Sequence, residues 1–217
     1  MIDSVLASLA SSTRPLLVCD VDEVVLEFLD PFHAYLESVE HRLHPDSFRL
    51  HGNVRHFSGT TATDEAVEAF QEEFFRTQDK WQKPARHARE TLDRLSVGAD
   101  IVLLTAMPPR HRGVRRELLD LLGFHFPMIA TEEPKGPVVS QLIADRGVPA
   151  AFIDDIFTNL HSVRAHAPDC LLINLMANDI FRSMAPDPGE RVHKATSWLE
   201  AERLIRSHFG SLDQVTM

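Results

Sequence analysis

Leu16-Leu17-Val18-Cys19-Asp20-Val21-Asp22-Glu23-Val24-Val25 is the stretch on which the reading of this chain turns. Its first four residues form a short, wholly apolar run, the pattern of a strand buried on both faces of a parallel sheet. The run ends on two carboxylates, Asp20 and Asp22, one residue apart and followed by more apolar residues. In open α/β sheets ligands bind beyond the carboxyl ends of the strands, and Asp20 falls at that end. Two carboxylates drawn into apolar surroundings each need a partner. A divalent cation would satisfy both; an acidic turn after a strand is the plain alternative.

Composition bounds what such a site can serve. At 217 residues the chain suits one core domain carrying an insertion. With 44% hydrophobic residues it can bury a sizeable core, and 25% charged residues is ordinary for a soluble enzyme. A net charge of -10 disfavours nucleic acid as a partner, because phosphate backbones need basic residues in excess. No apolar run reaches transmembrane length, so no membrane partner is expected. The opening MIDSVLASLASS lacks a basic start and carries Asp3, which fits an exposed amphipathic lead-in better than a signal peptide, and a cytoplasmic location is expected. Cys19 and Cys170 both sit in apolar runs and are expected as reduced core thiols. Oligomeric state leaves no trace in the sequence.

Beyond the first strand the pattern changes twice. A helix is expected over 28–39, with Phe32, Tyr35, Leu36 and Val39 on one face, and the stretch 41–59 is polar, turn-rich and rich in histidine. Thr63 or Asp64 then caps a helix reaching about Asp79, with Val67, Phe70 and Phe74 at helical spacing. Residues 29–85 are therefore read as a small, mainly helical insertion covering the strand ends, with 1–28 and 86–217 as the core domain. From there strands and helices alternate. Strands are expected at 100–105, 127–130, 150–153 and 170–173. Helices are expected at 84–95, at 112–122 with Val114, Leu118 and Leu122 aligned, at 137–145 with Pro137 in its first turn, at 157–165 and at 197–208. Together these make an α/β fold: a Rossmann-like parallel sheet of about five strands, flanked by helices.

The polar residues that follow each strand can converge, because the strands of one parallel sheet end at the same edge. They are Asp20 and Asp22 after the first strand and Thr105 after the second. The third is followed by the loop with Lys135, and the fourth by Asp154 and Asp155 with Asn159 beyond. Two acidic clusters can share one hard cation, for which Mg²⁺ is the natural choice. A hydroxyl and an ammonium at the same edge suit a tetrahedral anion. Thr105 or Lys135 alone would be an ordinary strand-end or loop residue, although only four of the 22 basic residues are Lys, so this chain uses Arg for common surface charge.

In this order the motifs resemble the haloacid dehalogenase superfamily of phosphohydrolases: DVDEVV at 20–25, LLTA at 103–106, the Lys135 loop and IDDIFTN at 153–159. The resemblance implies a Rossmann-like core, a cap inserted soon after the first motif, and a Mg²⁺-dependent phosphatase acting on a small phosphorylated metabolite through an aspartyl-phosphate intermediate. By it, Asp20 is the nucleophile and Asp22 the acid that protonates the leaving group and then activates water. Thr105, Ala106 and Lys135 hold the transferring phosphoryl group, and Asn159 is an outer polar position. The metal is held by Asp20, Asp22 (through its backbone carbonyl), Asp154 and Asp155, with Asp155 the direct ligand of the last pair. Asp22 must then stay protonated near neutral pH, for which the charge of Asp20 is a candidate cause. Its presence argues against the dehalogenase branch. Position 23 departs from the pattern, since many members carry Gly where this chain has Glu23.

Other features carry less. His41, His44, His51 and His56 fit no zinc spacing and have no Cys beside them. Lys80 and Lys83 flank Trp81 and are expected as exposed charge rather than as a Schiff-base lysine. Arg110, Arg112, Arg115 and Arg116 form either a solvated helix start or a clamp for the distal part of an anionic substrate, with Arg110 the expected contact. Two alternatives to the phosphatase remain open: a phosphotransferase or phosphomutase on the same scaffold, and a non-catalytic binder of phosphorylated ligands.

Overall fold

The structure is a computed structural model that describes residues 2–144 and 146–210. The first helix, α1 (Ile2–Leu9), precedes β1 (Leu16–Cys19). Then come α2 (Leu29–Ser38), β2 (His41–Leu43), β3 (Val54–His56), α3 (Asp64–Arg76) and α4 (Ala88–Ser96). Strands and helices next alternate as β4 (Asp100–Thr105), α5 (Arg112–Leu121), β5 (Met128–Ala130), α6 (Lys135–Ile143), β6 (Ala150–Asp154), α7 (Phe157–His166) and β7 (Leu171–Leu175). The chain closes with α8 (Asp179–Met184), β8 (Val192–Ala195) and α9 (Trp198–Phe209).

Six of these strands form one parallel sheet in the order β5-β4-β1-β6-β7-β8. The period of two along β1 divides its apolar run between the two faces. Leu17 and Cys19 face a core shared with α4, α5 and α9, while Leu16 and Val18 face one shared with α1, α6 and α7. Such double coverage requires strands apolar throughout, which is why β1 and β4 are legible as unbroken runs. No described helix is long and apolar enough to cross a membrane.

Several expectations shift. The sixth strand, β8, was not foreseen because Val192-His193-Lys194-Ala195 lies at the sheet edge and leaves its middle residues exposed. The polar stretch 41–59 contains the antiparallel hairpin β2–β3, whose three-residue strands are too short and too polar to show a period. The lead-in is the helix α1, and it is not wholly exposed: Val5 and Leu9 are buried against the sheet. Helix α4 begins at Ala88 rather than at 84, because His87 adopts a left-handed φ of 65° that interrupts helical geometry. Helix α6 begins at Lys135, two residues earlier than expected, and the expected end at Asp145 lies outside the described residues. Pro137 still falls in the first turn, where its missing N–H costs nothing.

The stretch 29–85 has a hydrophobic core of its own. Phe32, Tyr35 and Leu36 from α2 pack with Val67 and Phe74 from α3, and Leu43 and Val54 of the hairpin close it. Thr63 caps α3 by accepting from the Ala66 amide at 3.3 Å. Met176 and Phe181, which follow β7, join this cluster and weld it to the sheet.

Helices α6 and α7 lie so close that a Cβ at Gly136 would collide with the Ser162 backbone carbonyl. The Gly136 amide donates to Ser162 Oγ at 3.1 Å. Gly136→Ala must push the helices apart. Urea unfolding should show a loss of about 1–3 kcal/mol, and an unchanged midpoint would show that the two helices separate without cost.

Candidate active site

Strand β1 lies at the point where the chain reverses direction across the sheet, with β4 and β5 on one side and β6 to β8 on the other. Ligand crevices open at such a switch point. Cys19 pairs in register with Leu103 and with Ile153, so the residues just beyond these positions are brought together. Asp20 is only 6% exposed, and its amide donates to the Ile153 carbonyl at 2.9 Å.

Lys135 starts α6 and is buried. Its Nζ lies 2.6 Å from Asp20 Oδ1 and 2.7 Å from Asp154 Oδ2. Asp154 is fully enclosed and accepts further from the Ile156 amide at 2.8 Å and from Asn159 Nδ2 at 3.1 Å. Burial alone would depress the Lys135 pKa, but the charges of Asp154 and Asp20 outweigh it and push it up, so the ammonium is permanent. Asp20 goes the other way. Burial lifts its pKa to about 7, Lys135 opposes the rise, and the neighbouring Asp154 and Asp22 add to it. Asp155 is raised well above the usual range by burial and then by the charges of Asp154 and Asp20. No described side chain donates to the Asp155 carboxylate.

Asp22 has a different environment from the one the sequence suggested. Arg115, wholly buried on α5, binds its carboxylate through two nitrogens, at 2.8 and 3.0 Å. Gln82 Nε2 donates to Oδ1 at 2.9 Å and the Thr105 hydroxyl to Oδ2 at 3.2 Å. Burial raises the Asp22 pKa, but the Arg115 charge and these hydrogen bonds overcome it and hold the group below the usual carboxylate range. The expected upward pull from Asp20 is therefore outweighed: Asp22 is ionised in this arrangement. Gln82 also accepts from Arg115 at 3.1 Å, and Gln78 Oε1 accepts from Arg115 Nε, so two residues near the end of the insertion hold the guanidinium from its other side.

Sequence reasoning named Arg115 only within a basic cluster. The signal that could have found it was its phase on α5, where Arg115, Leu118 and Leu119 are the buried positions at i, i+3 and i+4. An arginine inside an apolar stripe needs a buried anion. Of the aligned set expected there, Leu118 is buried and Leu122 packs partly buried against the same core, while Val114 is half-buried and Arg115 takes the inward position.

Glu23 stands at a φ of 64°, the left-handed region that favours glycine. Holding a non-glycine residue there costs roughly 1 kcal/mol. The side chain offsets this by accepting from three backbone amides: Phe28 at 3.0 Å, Leu29 at 2.8 Å and Asn178 at 2.6 Å. Burial pushes its pKa up while those amides pull it down. The departure at position 23 thus keeps the turn a glycine would make and ties it to the start of α2 and to the loop after β7.

A cavity of about 640 Å³ opens above these groups. Asp20, Asp22, Asp155, Asn159, Ala106 and Arg110 line it, whereas Thr105, Lys135 and Asp154 lie beneath its floor. Arg110 is bound to Glu72 on α3 through two nitrogens, and His111 Nε2 lies 2.9 Å from the same carboxylate. Hydrogen bonds from Arg110 and His111 hold the Glu72 pKa down to about 2. Arg110 thus faces the cavity already paired.

Oxygen atoms of Asp20, Asp154 and Asp155 lie within 4.8 Å of one another. A buried all-carboxylate set suits a hard divalent cation, and the Asp155 carboxylate, without a donor among the described residues, is the group such an ion would satisfy. The Asp22 carboxylate is not part of this set. The four histidines of the insertion form no comparable group among the described residues. Without a cation the folded protein holds protons at this site that the unfolded chain releases. Stability from it is therefore lost as the pH rises from the ordinary carboxylate range through about 7. Asp22, with its lowered pKa, contributes in the opposite sense, and its share is lost only in acid. The rise in melting temperature on adding Mg²⁺ should accordingly be larger at about pH 8 than at about pH 5.5, and Asp155→Asn should remove most of it. Equal rises at both pH values, or a rise unchanged in the variant, would place the cation elsewhere.

No protein-family model and no curated protein matches the sequence. Solved structures do match. A predicted phosphatase from Clostridium acetobutylicum superposes with a TM-score of 0.60 at 14% identity, over 90% of this chain and 100% of its own. A predicted phosphoglycolate phosphatase from Haemophilus somnus 129pt gives 0.58 at 13% identity, over 90% and 99%. A haloacid dehalogenase-family hydrolase from Deinococcus radiodurans R1, with bound phosphate and sodium, gives 0.60 at 13% identity, over 89% and 95%. At these identities the likeness is one of fold, and it agrees with the resemblance carried by the sequence motifs: this chain has the fold of the haloacid dehalogenase-like hydrolases.

Proposed function

We propose that the chain is a Mg²⁺-dependent phosphatase that hydrolyses a small phosphomonoester through Asp20. The observation that carries this reading is the Lys135 ammonium held 2.6 Å from Asp20, beside a second acidic pair at the floor of a cavity. A carboxylate approaching a phosphate dianion needs cancelled charge and fixed position. Lys135 supplies both to Asp20. Asp20, Asp154, Asp155 and the backbone carbonyl of Asp22 would hold Mg²⁺, which when bound neutralises phosphoryl oxygens. Asp20 attacks phosphorus, the bond to the leaving oxygen breaks, and the phosphoryl group rests on Asp20 as an acyl phosphate. Water then attacks that phosphorus, and the ionised Asp22 takes its proton.

The first step asks Asp22 for a proton, and the Arg115 clamp opposes that. Leaving groups able to depart without full protonation, or a shift of Arg115 when substrate enters, reconcile the two demands. The Thr105 hydroxyl is assigned to fixing Asp22; holding a phosphoryl oxygen would require it to turn away. The same ionised Asp22 would deprotonate an alcohol as readily as water, so transfer to an acceptor is the second reading. Alcohol added to the assay distinguishes them by the phosphorylated product it yields.

Phosphate release from a panel of phosphomonoesters tests the reading. It should require Mg²⁺, stop with EDTA, and fall by about 10³-fold or more in Asp20→Asn. Release that survives that substitution would remove Asp20 as the nucleophile. Arg115→Gln should move the acidic limb of the pH–rate profile to higher pH, since it frees Asp22 from the charge that holds its pKa down. It should also cost about 3–5 kcal/mol of stability by breaking a buried pair. An acidic limb that does not move would assign it to a group other than Asp22.

A further inference from the structure

The walls of the cavity carry information about the leaving group, on the reading that a phosphate ester is bound at Asp20. Away from the carboxylates at the floor, the charged wall residues other than Glu23 are Arg49 and Arg110 against Glu68, Glu72 and Glu132. Glu23 is spent on three amides, and Arg110 is spent on Glu72. With Arg110 and Glu72 paired, the exposed Arg49 is left against Glu68 and Glu132, so a second anionic group on the substrate, whether carboxylate or phosphate, would meet one guanidinium and two carboxylates. The neutral polar side chains of the wall are few. Asn159 already gives its amide nitrogen to Asp154, which leaves Gln71. A polyhydroxylated leaving group would bury hydroxyls without partners, at a cost for each.

The wall instead offers apolar faces. Phe28, Phe181 and Met176 are firmly buried at its base, in contact with the core of the insertion. Phe75 on α3 and Phe48 and Leu50 in the hairpin loop are half-buried and complete the enclosure. Helix α3 turns Glu68, Gln71, Glu72 and Phe75 towards the cavity at helical spacing, so acceptor groups lie along one side of an otherwise apolar chamber.

We propose that the substrate is a phosphomonoester whose leaving group is a flat, largely apolar body, aromatic in character and uncharged or cationic, with hydrogen-bond donors directed at Glu68 and Gln71. Its ring lies between the Phe28–Phe181 base and the Phe48–Leu50 loop. The chamber, at about 640 Å³, has the volume of a small-molecule site.

Benzyl phosphate and glycerol 3-phosphate test this directly, because their leaving alcohols are of similar acidity and the comparison reports binding of the leaving group. The value of kcat/KM for benzyl phosphate should exceed that for glycerol 3-phosphate by about tenfold or more, the worth of burying one ring, and should exceed that for phosphoglycolate by at least as much. Phe48→Ala, with its fold checked by circular dichroism, should narrow the ratio. Equal efficiencies, a preference for phosphoglycolate, or a ratio unmoved in Phe48→Ala would overturn the proposal. Should no ester be hydrolysed, the phosphatase reading fails and binding decides the rest. With Mg²⁺ present, calorimetry should show benzylphosphonate binding about tenfold or more tighter than phosphonoacetate, which keeps the leaving-group assignment, and equal or weaker binding removes it.

Discussion

A single ammonium group lies between two buried carboxylates. Lys135 Nζ touches both Asp20 and Asp154, and the packing around it follows from that contact. Helix α6 begins at Lys135, and the side chain reaches the sheet edge from that first position. Asn159 at the start of α7 completes Asp154, and the glycine at 136 lets α6 lie against α7 at Ser162. The sheet supplies the remainder, since the register of β1 with β6 fixes where Asp20 stands relative to Asp154. Two helices, two strands and a glycine thus serve one arrangement of charge.

Where the sequence was legible, the physics was local. Buried strands show as unbroken apolar runs, and strand ends show as polar residues at their termini, so five of the six strands of the parallel sheet and the acidic edge could be placed from the sequence. What was missed depends on partners distant in the chain. Strand β8 is an edge strand with two exposed residues, and nothing in its own sequence separates it from a loop. Arg115 is seen as a solvated cation until Asp22, some ninety residues away, is known to meet it. The hairpin β2–β3 is held by Leu43 and Val54 packing against α2 and α3 rather than by any period in its six residues. Glu23 shows the converse: the glycine preference of its position was noted, but the three amides that make a glutamate tolerable belong to Phe28, Leu29 and Asn178.

The two acidic groups at the end of β1 have their pKa values moved in opposite directions by different surroundings. Asp20 sits among carboxylates with one cation and has its pKa pushed up to about 7, first by burial, whereas Asp22 sits in a bidentate grip that holds its pKa below the usual carboxylate range. Their separation by one residue points them to different surroundings, Asp20 towards β6 and Asp22 towards α5 and the end of the insertion. Gln78 and Gln82 make the second of these surroundings partly a property of the insertion, so the charge state of a core residue depends on where residues 29–85 rest.

The insertion leaves and rejoins the core at one place. Leu26 and Pro84 are bridge partners, the Glu27 amide donates to Lys83, and the Ala85 amide donates to Val25. The ends of the excursion are thus already together, and the entropy of closing the loop between them grows only with the logarithm of its length. Residues could be added to or removed from the stretch between with little effect on the pairing of β1 with β4. A change of length in this stretch would alter the Phe48–Leu50 side of the cavity while leaving the strand that carries Asp20 in register.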